Sequence, residues 1–205
     1  SIGTDIGFQV IGKGGDIKIN AQTILLKNTS EISAGTFGQG DAGSIFIKAS
    51  EGVYLSNDKN IGSTQISSFV GDKAIGNGGT INIEAGNLSL DNATLLTFSS
   101  GKGNDLVSLT NNGRFSTSIG LNAVGNGGNI DIQARRLFLD NDSDFFAATS
   151  GQGNAGNISI KAADSVFLRN SFVSSSVSKE GVGNGGNINI VTGTLTLTNN
   201  TILMT

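Results

Sequence analysis

The chain has 205 residues and a formal net charge of −3, with 14% of residues charged, 31 glycines, and no proline, cysteine, histidine or tryptophan. No basic run exists to hold nucleic acid, no apolar run approaches the roughly 18–20 residues of a membrane span, and there is no disulfide framework. Disorder usually brings proline and high net charge; here 37% of residues are apolar, and they fall at regular places.

Taken along the chain, one pattern dominates: a glycine-rich turn followed by Ile-x-Ile. It first reads Gly12-Lys-Gly-Gly-Asp-Ile17-Lys-Ile19, then Gly40-Asp-Ala-Gly-Ser-Ile45-Phe-Ile47. It returns at Gly76–Ile83, Gly125–Ile132, Gly153–Ile160 and Gly183–Ile190. A second pattern follows each time, apolar-x-Leu-x-Asn, as in Ile24-Leu-Leu26-Lys-Asn28. Its asparagines are Asn28, Asn57, Asn92, Asn111, Asn141, Asn170 and Asn199. Four of the six intervals between them share nearly one period; that from Asn57 to Asn92 is long, and that from Asn92 to Asn111 is short. A looser apolar step comes next, at Ile32, Leu95, Phe115, Phe145, Val173 and Ile202.

Each period thus holds three short alternating segments separated by turn residues. Alternation marks a strand with one buried face, and segments this short are not stable alone. Stacking the copies resolves this, because each coil then hydrogen-bonds to its neighbours around one continuous core. Proline would remove a ladder donor, which accounts for its absence. The spacing predicts a single-stranded parallel β-helix, a β-solenoid, of about seven coils of roughly 29 residues, a period in the range of solenoid repeats. It covers residues 1–205 as one segment. At about 4.8 Å per coil that is a rod on the order of 35 Å long. The long interval carries extra residues before Gly76. The short interval reads as a short coil with one strand missing or merged.

The seven asparagines are expected to stack at one corner, where they tolerate left-handed backbone and their amides can bond along the stack. Several also begin Asn-x-Ser/Thr, as in Asn28-Thr-Ser30 and Asn92-Ala-Thr94, a pattern that turn composition makes common. Gly38-Gln-Gly40-Asp-Ala-Gly43 and Gly151-Gln-Gly153-Asn-Ala-Gly156 match a nucleotide fingerprint. That fingerprint needs a helix after it, and a strand is expected here. Asp140-Asn-Asp142-Ser-Asp144 begins like a calcium loop, but Phe145 stands where glycine is required and Gly151 where glutamate is required. No metal or cofactor is therefore assigned.

Without histidine, acid–base chemistry would fall to Asp, Glu, Lys and Tyr. The acidic residues are scattered, with Asp16, Glu84 and Asp131 beside Ile-x-Ile segments. No recurrent pair emerges, and the chain is read as non-catalytic. The outward middle residue of the second segment runs Leu25, Tyr54, Ser89, Ser108, Phe138, Phe167, Thr196. Within it Leu25, Tyr54, Phe138 and Phe167 form the candidate contact face, since an exposed apolar column can mark an interaction surface. An ice-binding face is disfavoured because Thr194-Leu-Thr196-Leu-Thr198 occurs once only.

Gly-Asn-Gly-Gly-Asn-Ile-x-Ile, then Leu-x-Leu-x-Asn, then a Ser/Thr-rich stretch, resembles the repeats of filamentous haemagglutinin-like exoproteins, above all the large cyanobacterial forms. The resemblance spans Gly12 to Thr205. It implies a right-handed β-helix, export by two-partner secretion through an outer-membrane transporter, and a secreted or cell-surface role in adhesion, aggregation or filament coating. The family's N-terminal secretion domain is not evident. Both ends of the chain lack a polar cap, which is expected of a piece of a longer repeat protein or of a fibre subunit stacked head to tail. The expected partners are further copies, a glycan or a cell-surface receptor. The runner-up reading is a β-helix that binds or cleaves polysaccharide.

Overall fold

The computed structural model describes residues 1–58, 64–96, 98–100, 104–110, 114–119 and 123–205. Among them are sixteen strands and no helix: β1 (Ile2–Gly3), β2 (Ile17–Lys27), β3 (Glu31–Ser33), β4 (Ile45–Ser56), β5 (Thr64–Ser67), β6 (Ile81–Asp91), β7 (Ala93–Leu96) and β8 (Phe98–Ser100) in the first half. The second half holds β9 (Asn104–Thr110), β10 (Arg114–Ile119), β11 (Ile130–Leu139), β12 (Asp144–Thr149), β13 (Ile158–Arg169), β14 (Phe172–Ser174), β15 (Ile188–Thr198) and β16 (Ile202–Met204).

Every pairing among these strands is parallel. The long strands β2, β4, β6, β8 with β9, β11, β13 and β15 form one sheet. The short strands β1, β3, β5, β7, β10, β12, β14 and β16 form the other. A third side is closed by single bridges, as in Ile75 with Val124 and Gln152 with Val182. The chain is a parallel β-solenoid. One turn takes about 29 residues, the separation between Gln22 and its hydrogen-bond partner Glu51 on the next turn.

Three expectations are corrected. First, Ile-x-Ile and apolar-x-Leu are not separate strands. In β2 the inward residues Ile17 and Ile19 are two apart and the next, Ile24, comes after Ala21 at a step of three. Hydrogen bonding nevertheless continues through the step, with Ala21 opposite Ala49 and Thr23 opposite Gly52. β4 carries one extra residue there, a β-bulge that bends the strand without ending it. Second, the solenoid makes about six turns, not seven. The short interval between Asn92 and Asn111 adds a rung to the long sheet through β8 and β9, while Ile75 and Val124 pair directly across it. Third, the inward column of the short sheet continues from Val173 to Leu203, not Ile202, and it includes Ile66.

The core is what the alternation encodes. Ile45, Ile81, Ile130 and Ile158 stack in one buried column, Leu55, Leu90, Leu139 and Leu168 in another, and Ile32, Ile66, Leu95, Phe145 and Val173 face them from the short sheet. Each is removed from water by rungs above and below, so each contributes roughly 1.5–3 kcal/mol of apolar burial.

The glycine turns allow the third corner to pack backbone on backbone. Gly153 has φ 141°, and a Cβ there would overlap the carbonyl oxygen of Gly125 one turn away. Gly40, at φ 132°, stands in the same relation to Gly12. Only glycine satisfies both the left-handed angle and the close approach.

Candidate functional site

The register of the long sheet sets Leu25 beside Tyr54, Tyr54 beside Ser89, Ser89 beside Ser108, Ser108 beside Phe138, Phe138 beside Phe167 and Phe167 beside Thr196. The four candidate contact residues therefore share one outward column, in two pairs separated by serines. Leu25 is 58% exposed, and Tyr54, Phe138 and Phe167 are half-buried. The rings of Phe138 and Phe167 lie parallel, centroids 4.9 Å apart. Tyr54 lies over Gly52, where a Cβ would press on its ring, so the bulge glycine lets the tyrosine lie down on the sheet.

The asparagine corner is built as a left-handed turn. Asn28, Asn92, Asn141, Asn170 and Asn199 have φ between 44° and 52°, a region asparagine tolerates better than most residues. Three of their amides reach groups other than the next asparagine amide. The Asn28 Nδ2 donates to the Asp58 carboxylate at 3.1 Å, and the Asp58 N–H returns a bond to Asn28 Oδ1 at 3.1 Å. Asn92 Nδ2 donates to the Asn57 carbonyl at 3.2 Å, and Asn170 Nδ2 to the Asp142 carboxylate at 2.7 Å. Asn111 lies outside the described residues.

Amide-to-amide ladders stand in the glycine turns, where the sequence reading did not place them. Asn154 N–H donates to Asn126 Oδ1 at 3.0 Å, and Asn184 N–H to Asn154 Oδ1 at 3.0 Å. Three residues on, Asn157 N–H donates to Asn129 Oδ1 at 2.8 Å and Asn187 N–H to Asn157 Oδ1 at 2.9 Å. The Nδ2 groups follow the same path, from Asn184 to Asn154 and from Asn187 to Asn157. In the first turns other acceptors take these roles: Asp41 receives Asn77 N–H at 2.8 Å and Asp16 receives Ser44 N–H at 2.9 Å. Each of these side-chain oxygens thus caps a backbone N–H of the next turn. The signal was present in the repeated Gly-Asn-Gly-Gly-Asn spelling.

A further column also escaped the sequence reading. The residue just before each glycine turn points outward: Ile11, Gln39, Ile75, Val124, Gln152, Val182. Ile11 is 79% exposed and Val182 67% exposed.

The Asp140–Asp144 turn does not converge on one point. Asp140 is buried and held by Arg169, whose Nε donates to Oδ1 at 2.7 Å while a terminal nitrogen donates to Oδ2. That guanidinium holds the Asp140 carboxyl below the usual carboxylate range, against the opposing effect of burial. Asp142 turns to Asn170. Asp144 accepts the Phe172 N–H at 3.2 Å and faces Arg114 at 3.5 Å. Burial pushes its carboxyl up, with Arg114 pulling the other way. Among the described residues no group of three His, Cys, Asp or Glu is placed to hold a metal ion. Both glycine fingerprints run directly into strands, Gly38–Gly43 into β4 and Gly151–Gly156 into β13. A helix N-terminus to hold a pyrophosphate does not follow either one.

Compared with known proteins, the chain matches no family model, no curated protein and no solved structure.

Proposed function

We propose that this chain is a non-catalytic structural or adhesive rod, displayed outside the cell or on its surface. The observation that carries this reading is the outward column of the long sheet. Its strand register places one side chain per rung along the length of the rod, with the Phe138–Phe167 stack as its apolar centre. A contact surface built this way is linear, rigid and repeated. It suits lateral engagement of another extended surface, whether a second rod or a cell coat. Half-exposed aromatic pairs of this kind are enriched where proteins meet partners.

The repeat's likeness to filamentous haemagglutinin-like exoproteins supports an exported setting, with passage through an outer-membrane transporter as part of that proposal. Side-chain caps on successive turns suit it too, since the rod's rigidity comes from hydrogen bonding and not from disulfides.

The test is attachment of the purified chain to bacterial cells and its self-association, compared with the Phe138→Ser/Phe167→Ser double variant at unchanged circular dichroism. The reading expects both activities to fall by about tenfold or more. Unchanged attachment and unchanged self-association would sink it.

A further inference from the structure

The third side of the solenoid is not smooth. Between its two bridged positions the first turn takes five steps, Ile6 to Ile11, the second three, Thr36 to Gln39, and the third five again, Val70 to Ile75. The longer passages are closed as turns, by Val10 N–H to the Gly7 carbonyl and Ala74 N–H to the Gly71 carbonyl. They project on either side of the shorter passage and leave a cleft of about 420 Å³ between them. That volume lies within the usual range of small-molecule sites, about 300–1,000 Å³.

The lining is divided by chemistry. One wall is aromatic: Phe8, 74% exposed, packs on Phe37 with centroids 4.9 Å apart. Phe37 is backed in turn by Phe69, edge to face at 5.1 Å, so the wall is a cluster of three rings. The rest is mainly polar, with Gln9 and Gln39 supplying amides, Asp72 a carboxylate and Lys73 an ammonium, beside Gly38 and the apolar Ile75. Gln9 and Lys73 occupy equivalent places in the two projecting turns, at φ 61° and 63°. Glycine or asparagine is the ordinary choice there. Two long polar side chains are thus held in a disfavoured backbone region on opposite sides of one cleft, as strained residues often are at binding sites.

We propose that this cleft is a saccharide-binding subsite, taking one pyranose unit of a hydroxyl-rich glycan. A pyranose has an apolar C–H face and a rim of hydroxyls that both donate and accept. The Phe8–Phe37 wall receives the face, and the amides, the carboxylate and the ammonium bond the rim. A peptide side chain would satisfy the aromatic wall but has no matching rim of hydroxyls for the Gln9 and Gln39 amides and the Lys73 ammonium. The inference rests on the reading of the chain as an external contact rod, and it gives that rod a ligand on a face separate from the Phe138–Phe167 column.

The test is saturation-transfer NMR and calorimetry of the 205-residue chain with cellotetraose, maltotetraose and chitotetraose, each up to about 10 mM. Binding of at least one is expected. Phe8→Ser, at a mostly exposed position, and Lys73→Gly, which suits the local backbone, are each expected to weaken it by about tenfold while circular dichroism is unchanged. Phe138→Ser is expected to bind as the parent does. Absence of binding to all three sugars overturns the proposal, as does sugar binding indifferent to Phe8→Ser and Lys73→Gly. Binding of a tyrosine-containing peptide at the cleft in place of the sugars overturns the saccharide assignment. If the sugars fail while attachment to cells still depends on Phe138 and Phe167, only the cleft proposal falls and the rod reading stands.

Discussion

Phe138 and Phe167 stand one full turn of the solenoid apart along the chain, yet their ring centroids are 4.9 Å apart and their planes within 6° of parallel. A stacked pair of this kind adds about 0.5–1.5 kcal/mol beyond its buried area. Phe138→Ala is therefore expected to lower unfolding stability by about 1–2 kcal/mol in denaturant titration, with part of the loss shared by Phe167→Ala. A double-mutant cycle with no coupling energy would show that the rings merely lie side by side.

The glycine corner makes a sharper prediction. Gly153→Ala places a Cβ on the Gly125 carbonyl, where backbone meets backbone and neither side can rotate away. The expected cost is at least about 2 kcal/mol, read as a lowered unfolding midpoint. Gly12→Ala meets nothing within 4 Å and is expected to change stability by less than about 1 kcal/mol. Equal costs at the two positions would contradict the packing described for this corner.

The turn ladders predict an asymmetric series. Asn157 both donates to Asn129 and accepts the Asn187 N–H. Asn157→Ala is expected to cost about 1 kcal/mol and to speed amide hydrogen exchange at Asn187. Asn157→Asp keeps the acceptor, as Asp41 does for Asn77, and is expected to preserve protection of that amide at neutral pH.

The Asp140–Arg169 pair sets a pH dependence. The folded-state pKa of Asp140 is lowered by Arg169, so the unfolded chain binds its proton first as pH falls. The pair's stabilisation is present above the unfolded carboxylate pKa of about 4 and is lost as pH drops through the lower folded value. Asp144 has the opposite sign: burial raises its pKa, and its ionisation above about pH 4 weakens the folded state. Asp140→Asn is expected to flatten the loss of stability below about pH 4, and Asp144→Asn to leave stability at neutral pH unchanged or higher. Thermal melts from acid to neutral pH measure both.

Much of this architecture was legible in the sequence because a solenoid repeats its evidence. One Ile-x-Ile is ambiguous, but six in register with Leu-x-Leu-x-Asn leave few alternatives. The column through Phe138 and Phe167 followed from alternation alone. What escaped had physical causes. The odd step between Ile19 and Ile24 looks like a turn by hydrophobic pattern, yet a bulge absorbs it without breaking the hydrogen bonds. Asn126 and Asn129 read as turn formers, and their role as caps appears only when neighbouring turns are superposed. Ile75 and Val124 sit beside glycines and match neither strand pattern, although they mark an exposed column. The cleft beside Phe37 depends on turns of unequal length, which an average period conceals.

The central claim is that the face carrying Phe138 and Phe167 is the rod's contact surface, and hydroxyl-radical footprinting of the chain free and attached to cells tests it most directly. The account predicts that oxidation of both phenylalanines falls on attachment by about threefold or more, as for groups desolvated at an interface core, while the exposed Val182 on the glycine corner stays as reactive as in the free chain. Undiminished oxidation of Phe138 and Phe167 in the attached state would contradict it.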